Sequence, residues 1–403
     1  MRVLWFPGNG AIYADTDKAY GGGGWTGALA KELIDSHCGV ELGMAIPWSH
    51  YMEDIRDGVS YYGIPPIKHG LISYQRKLDE QVSLMQKIVD HFRPDIIHVF
   101  GSEHTGGMVA TVTKVPVVLH LQGILNYLEG AWLPQGLSWC DYILTHPKQW
   151  QVKRWLKRSC ATEQIIFSSC RYYMGRTEMD YRVSRILSPY SSYYYCSEML
   201  RPAIYHTNKT WSFHHHKHNT IISIISPAVY KGADVILKTA QLLKNALNID
   251  FKWDVYGVKN IKDAERLSNI RARNVNVECH GVISSELIVD IVSNADVFVH
   301  PSYIENSPNT VCEAQVLGIP VIANYVGGTP SLISHKVNGI LISPNDAFLT
   351  ASYIIDLISN EKFAKQISKT ERETALRRHD PGCIVKDVMD IYSDIIEKTS
   401  RIG

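Results

Sequence analysis

With 403 residues, the chain exceeds the span of one small domain and sets the expectation at two or three. Its 45% hydrophobic and 20% charged residues exclude the disordered and fibrous classes. Lys plus Arg number 41 against 40 for Asp plus Glu, so no global field steers the chain toward nucleic acid.

No run reaches about 18 apolar residues, and the opening MRVLWFPGNG meets Pro and Gly too soon for a signal-peptide core. These features predict a cytoplasmic protein, at most peripheral on a membrane face. The 8 cysteines never form a Cys-x-x-Cys pair and read as reduced thiols.

In chain order, RVLWF (2–6) is a strand, followed by an irregular loop and four consecutive glycines, Gly21–Gly24. Such a run is either loose or lets backbone come close to something. A helix, TGALAKEL, begins beside it near Trp25 or Thr26. LISYQRKLDEQVSLMQKIVDHF (71–92) has helical apolar spacing, and DIIHVF (95–100) and VPVVLHL (115–121) read as strands. DYILT (141–145) and QIIFSS (164–169) are taken as further strands. Strands separated by helices of this length predict a parallel sheet covered on both faces.

A Tyr- and Ser-rich stretch of weak periodicity holds a junction near 205–218. Its HHHKH (214–218) lacks a spaced Asp or Cys and reads as solvated chain rather than a metal tract. A second series follows. NTIISIISP (219–227), FKWDVYG (251–257), NVNVECHG (274–281), DVFVHPS (296–302) and IPVIANY (319–325) are strands, and GADVILKTAQLLKNAL (232–247), SSELIVDIVSNA (284–295) and NTVCEAQVLG (309–318) are helices. Asp380-Pro381-Gly382 breaks the final helical pattern, leaving 383–398 as a separate helix. The expected domains are 1–210, 211–382 and a C-terminal helix, 383–403, crossing back to the first.

Candidate chemistry gathers at strand ends. In HPSYIENSPNTVCEA, Glu305 lies in a loop and Glu313 within a helix that opens near Ser307, Pro308 and Asn309, where free amides and the dipole favour an anion. Gly327 and Gly328 follow a strand and either bring amides to a ligand or make a turn. Lys231 precedes Gly232 at a strand-to-helix junction, where an ammonium can meet a phosphate. His120, Glu103 and His104 follow strands in the first half. Arg201 either supplies positive charge or pairs with Glu198, three residues earlier, if that stretch is helical. WQVKRWLKR (150–158) fits peripheral membrane contact or a helix packed on its own domain.

These residues resemble the retaining, nucleotide-sugar-dependent glycosyltransferases of family 4, most strongly over 219–346, through Lys231-Gly232, ADVFVHPSYIENSPNTVCEA, GIPVIANYVGG and NGILISPND. HLQG (120–123) and the glycine loop extend the resemblance more weakly. It implies the GT-B fold, two Rossmann-like α/β domains facing across a cleft. It further implies transfer of a hexose-type sugar from a UDP- or GDP-sugar to a glycan or polyprenyl-linked acceptor in surface-polysaccharide assembly, without a metal or other cofactor.

By the same resemblance, Lys231, Glu305 and His120 carry the chemistry. Gly22, Gly23, Gly24, Ser307, Asn309, Thr310, Glu313, Gly327 and Gly328 hold the donor, with Glu305 on sugar hydroxyls and Glu313 on the ribose. Glu103, His104 and Arg201 are acceptor-side candidates. The family commonly has an arginine five residues before the lysine, where this chain has Ser226. The rival readings are an epimerase or sugar-phosphate synthase of the same fold, and a sugar-nucleotide-binding protein of weakened activity.

Overall fold

The computed structural model describes residues 1–14, 24–67, 74–214 and 218–401. Gly22 and Gly23 of the glycine run lie outside them. The chain divides into two compact units. One comprises residues 1–129, 139–199 and those from 380 on; the other comprises 130–138 and 200–379.

Among the described residues, the first unit holds an eight-stranded sheet of β1 (Arg2–Phe6), β2 (Glu41–Pro47), β3 (Glu53–Arg56), β4 (Val59–Ile64), β5 (Ile96–Phe100), β6 (Val117–His120), β7 (Tyr172–Gly175) and β8 (Ser192–Tyr195). The order is β3-β4-β2-β1-β5-β6-β7-β8. Every neighbouring pair is parallel except β3 with β4. Buried runs such as VLWF and IIHVF suit strands covered on both faces.

One cover is the helix Tyr74–Phe92, which buries Leu78, Gln81, Met85, Ile88, Val89 and Phe92 at three- and four-residue steps. Another is the C-terminal helix Pro381–Ser400, which packs into this first unit as expected. Asp380 caps it by accepting from the Cys383 N–H at 2.8 Å, with Pro381 at the first position. Its Ile384, Val388, Ile391, Tyr392 and Ile395 join the core that contains Trp5 and Met44.

Two expected strands are helices. Residues 141–145 belong to the helix Trp139–Thr145, and 164–169 end the helix Gln149–Ser169. The run IIF looks strand-like in isolation. In place it continues a buried stripe of Leu156, Cys160, Glu163, Ile166 and Phe167, whose period is helical.

Among the described residues, the second unit has a six-stranded, all-parallel sheet. Its strands are β9 (Asn219–Ile224), β10 (Phe251–Tyr256), β11 (Val277–Gly281), β12 (Val297–His300), β13 (Val321–Asn324) and β14 (Ile340–Ile342), in the order β11-β10-β9-β12-β13-β14. The strand order switches direction between β9 and β12, which run parallel, and this is the position where open α/β sheets place ligands beyond their carboxyl ends. Both units are thus Rossmann-like. No helix among the described residues is long and apolar enough to cross a membrane.

Candidate active site

Beyond β9 the chain turns through Ser226, which is exposed, to Lys231. Gly232 then takes a left-handed φ of 73°, and a Cβ there would lie 2.0 Å from the Pro301 carbonyl oxygen. Only glycine lets this turn press against the end of β12. The Tyr303 N–H donates to the Tyr230 carbonyl at 2.7 Å. From the end of β13, Asn324 Nδ2 donates to the carbonyls of Pro301 (2.8 Å) and Ser302 (3.0 Å). Three strand ends are thereby held together.

On this frame Lys231 Nζ lies 2.5 Å from Glu305 Oε1, which also meets His300 Nε2 at 3.0 Å. Burial opposes both charges. Lys231 and then His300 outweigh it at Glu305 and hold the carboxyl far below its ordinary range. Burial likewise works against the ammonium, and Glu305 reverses the outcome, raising the Lys231 pKa. The pair is ionised. The Glu305 carbonyl accepts from the Gly328 N–H at 2.9 Å, which docks the Gly327-Gly328 turn on the same loop.

The helix Asn309–Leu317 starts from Pro308, whose carbonyl accepts from Val311 (2.9 Å) and Cys312 (3.2 Å). The amides of Asn309 and Thr310 precede that ladder, at the positive end of the dipole. Ser307 is buried beside them. Glu313, one turn on, is buried and gripped in bidentate fashion: Arg201 Nε lies 2.7 Å from Oε1 and Nη2 lies 2.6 Å from Oε2.

Residues 196–200 are not helical, the condition set for pairing Arg201 with Glu198, and Glu198 meets Arg176 Nε at 2.7 Å in the first unit. The second unit therefore brings together Lys231 with Glu305, Gly328 with the Glu305 loop, and Arg201 with Glu313.

The first unit places its candidates separately. Gly24 opens the helix Gly24–Asp35 with a φ of 65°, and nothing lies within 4 Å of a Cβ built there, so conformation rather than space calls for glycine. Glu103 lies between two glycines: a Cβ on Gly101 would fall 2.3 Å from Oε2, and one on Gly123 2.6 Å from Oε1. Burial pushes its carboxyl up to about 7. The His104 ring is occupied by backbone, Nε2 meeting the Phe100 carbonyl at 2.6 Å and Nδ1 accepting from the Gly106 N–H. Glu103 and His104 line a cavity of about 260 Å³ with Phe6, Pro47, Tyr74 and Arg158.

His120 is fully buried at the end of β6. Its Nδ1 lies 3.2 Å from His98 Nε2, and its Nε2 has no hydrogen-bond partner among the described residues. Burial, then His98 and Arg176, hold its pKa well below the ordinary value, so the ring is neutral.

Sequence reading missed His300, His98 and the role of Arg201. His300 had a signal, standing at a strand end five residues before Glu305. In the second unit Asp254, Glu278 and His280 bring ligand atoms within 4.8 Å of one another. Asp254 is already engaged by Lys252 and His280, each at 2.9 Å.

Residues 207–374 match the family model described as glycosyl transferases group 1. The chain is 23% identical over 176 residues to a 2-deoxystreptamine N-acetyl-D-glucosaminyltransferase of Niallia circulans, covering 43% of this chain and 45% of that protein. It is 30% identical over 111 residues to a UDP-Gal:alpha-D-GlcNAc-diphosphoundecaprenol alpha-1,3-galactosyltransferase of Escherichia coli, covering 27% and 28%. The matched region spans less than half the length of each relative. A sucrose-phosphate synthase structure from Thermosynechococcus elongatus superposes with a TM-score of 0.73 at 15% identity, over 99% of this chain and 100% of that one. The fold is that of the GT-B glycosyltransferases, and residues 207–374 match their group 1 domain.

Proposed function

We propose that this protein is a retaining glycosyltransferase. It moves a hexose-type sugar from a UDP- or GDP-sugar to a glycan or polyprenyl-linked acceptor in surface-polysaccharide assembly. The observation that carries the reading is the Lys231–Glu305–His300 cluster beside the N-terminus of the helix Asn309–Leu317, inside the segment matched by the family model.

In this reading the diphosphate takes Lys231 and the amides of Asn309 and Thr310, where positive potential stabilises the departing charge. Glu305 receives sugar hydroxyls, Glu313 the ribose, and Gly327-Gly328 supplies close backbone. With Ser226 in place of a second cation, Lys231 bears most of the charge. The acceptor hydroxyl approaches the face that the diphosphate leaves, which retains configuration. The first unit's cavity, with Glu103 and His104, takes the acceptor, and peripheral membrane contact suits a lipid-linked one. We expect transfer to persist in EDTA.

The test incubates purified protein with radiolabelled UDP- and GDP-sugars and extracted polyprenyl-linked acceptors, and reads the anomeric configuration of the product by NMR. Transfer with retention supports the proposal. Donor binding without turnover across all acceptors favours a binding protein, and acceptor-independent epimerisation or sugar-phosphate formation favours the same-fold rivals. Either outcome would overturn it.

A further inference from the structure

A buried chain of polar groups runs through the first unit and ends on His120. Trp5 Nε1 lies 3.1 Å from the Tyr392 hydroxyl, that hydroxyl lies 2.5 Å from His98 Nδ1, and His98 Nε2 lies 3.2 Å from His120 Nδ1. Trp5, His98, His120 and Tyr392 are all fully buried. The contributors are β1, the C-terminal helix, β5 and β6, with His98 and His120 on adjacent parallel strands. The two imidazole planes lie 12° apart with ring centroids 5.3 Å apart, and they approach through the 3.2 Å contact of His98 Nε2 with His120 Nδ1.

The chain has a direction, set by its first member. An indole N–H only donates, so the Tyr392 oxygen accepts from Trp5. Its own proton then goes to His98 Nδ1, the other contact of that hydroxyl. A neutral His98 thus carries its proton on Nε2 and donates it to His120 Nδ1. His120 in turn carries its proton on Nε2, the atom without a partner among the described residues.

The reverse order leaves two groups unsatisfied, the Tyr392 O–H and the His120 Nε2 lone pair, against one in the forward order. Each buried polar group left unpaired keeps its desolvation penalty without compensation, so the forward order wins. Neutrality of both rings follows from burial, which pushes His98 down to about 3, and at His120 from burial, His98 and the nearby Arg176 charge.

We infer that Trp5, Tyr392 and His98 lock His120 as its Nε2–H tautomer, making Tyr392 and His98 positioning residues. The ring thus carries a neutral N–H at Nε2 and has no free Nε2 lone pair with which to take a proton. That such a proton would come from an attacking hydroxyl rests on the glycosyltransferase reading; the tautomer does not.

The test is long-range proton–nitrogen NMR on ligand-free protein labelled with nitrogen-15 histidine, with His120 assigned from the signals lost in His120→Gln. The expected result is a pyrrole-like Nε2 and a pyridine-like Nδ1. The opposite pattern, or an even mixture, overturns the inference. In Tyr392→Phe the His120 signals become a tautomer mixture, and a single unchanged Nε2–H form overturns the role of Tyr392. His98→Leu breaks the same chain without changing any residue of the C-terminal helix, and must also produce the mixture. A reversed tautomer in an enzyme that transfers sugar sinks this inference alone. Absence of transfer with the expected tautomer sinks the functional reading alone.

Discussion

Arg201 and Glu313 lie 112 positions apart and meet through two parallel hydrogen bonds of 2.7 and 2.6 Å in the second unit. Both are largely buried, so the guanidinium fixes the carboxylate's orientation and leaves its outer lone pairs for other donors.

Arg201→Ala strands a buried carboxylate and is expected to cost about 3–5 kcal/mol in stability. Arg201→Lys keeps the charge, loses the fork, and weakens nucleotide binding roughly tenfold with a smaller loss of stability. Chemical denaturation and nucleotide titration measure the two effects; equal stability of parent and Arg201→Ala would contradict the geometry.

Lys231 is paired with Glu305, so under the proposed function a diphosphate competes with that carboxylate. Glu305→Gln removes the competitor, and free UDP or GDP is expected to bind several-fold tighter while sugar transfer falls. The reference scale is about 1 kcal/mol for a charge interaction at roughly 4 Å in water, more when partly buried. Lys231→Ala should lower turnover more than donor binding. Isothermal titration beside steady-state kinetics separates the outcomes, and weaker nucleotide binding by Glu305→Gln would refute the competition.

Gly232→Ala combines a left-handed backbone with a Cβ 2.0 Å from the Pro301 oxygen. The expected loss is roughly 2–5 kcal/mol. Because the displaced turn carries Lys231, nucleotide affinity should fall with it. A melting curve and a titration on the same preparation provide the check.

Glu103 titrates near 7 because burial raises its carboxyl. The unfolded chain releases that proton near the ordinary glutamate value, so the sign is fixed: stability is full below about pH 4.5 and declines as pH rises toward 7. The contribution is on the order of 3 kcal/mol at most. Glu103→Gln should flatten this part of the pH dependence, read from denaturation midpoints between pH 5 and 8. An unchanged slope would show that Glu103 does not carry it.

The alternating strands and helices were legible because β-branched runs and helical stripes are local signals. So was the turn of Lys231 and Gly232, whose residue types state their backbone needs. The strand-like IIF of 165–167 misled because its burial derives from a stripe begun at Leu156, longer than the window that suggests a strand. Arg201 could not be matched to Glu313 from spacing, since nothing local distinguishes it from a partner three residues away. Tyr392 was beyond reach for the same reason: its hydroxyl meets His98 across 294 positions.

The contact between Trp5 and Tyr392 spans 387 positions, and this bears on the order in which the molecule is made. As the chain leaves the ribosome, all residues of the second unit are available before the helix Pro381–Ser400 can cover β1. The first unit begins earlier and is completed later, with part of its apolar sheet face waiting for that helix. Such long-range closure is slow and exposed to aggregation. Truncation before residue 380 would therefore remove a wall of the first unit's core, and the damage would surface in newly made protein as insolubility.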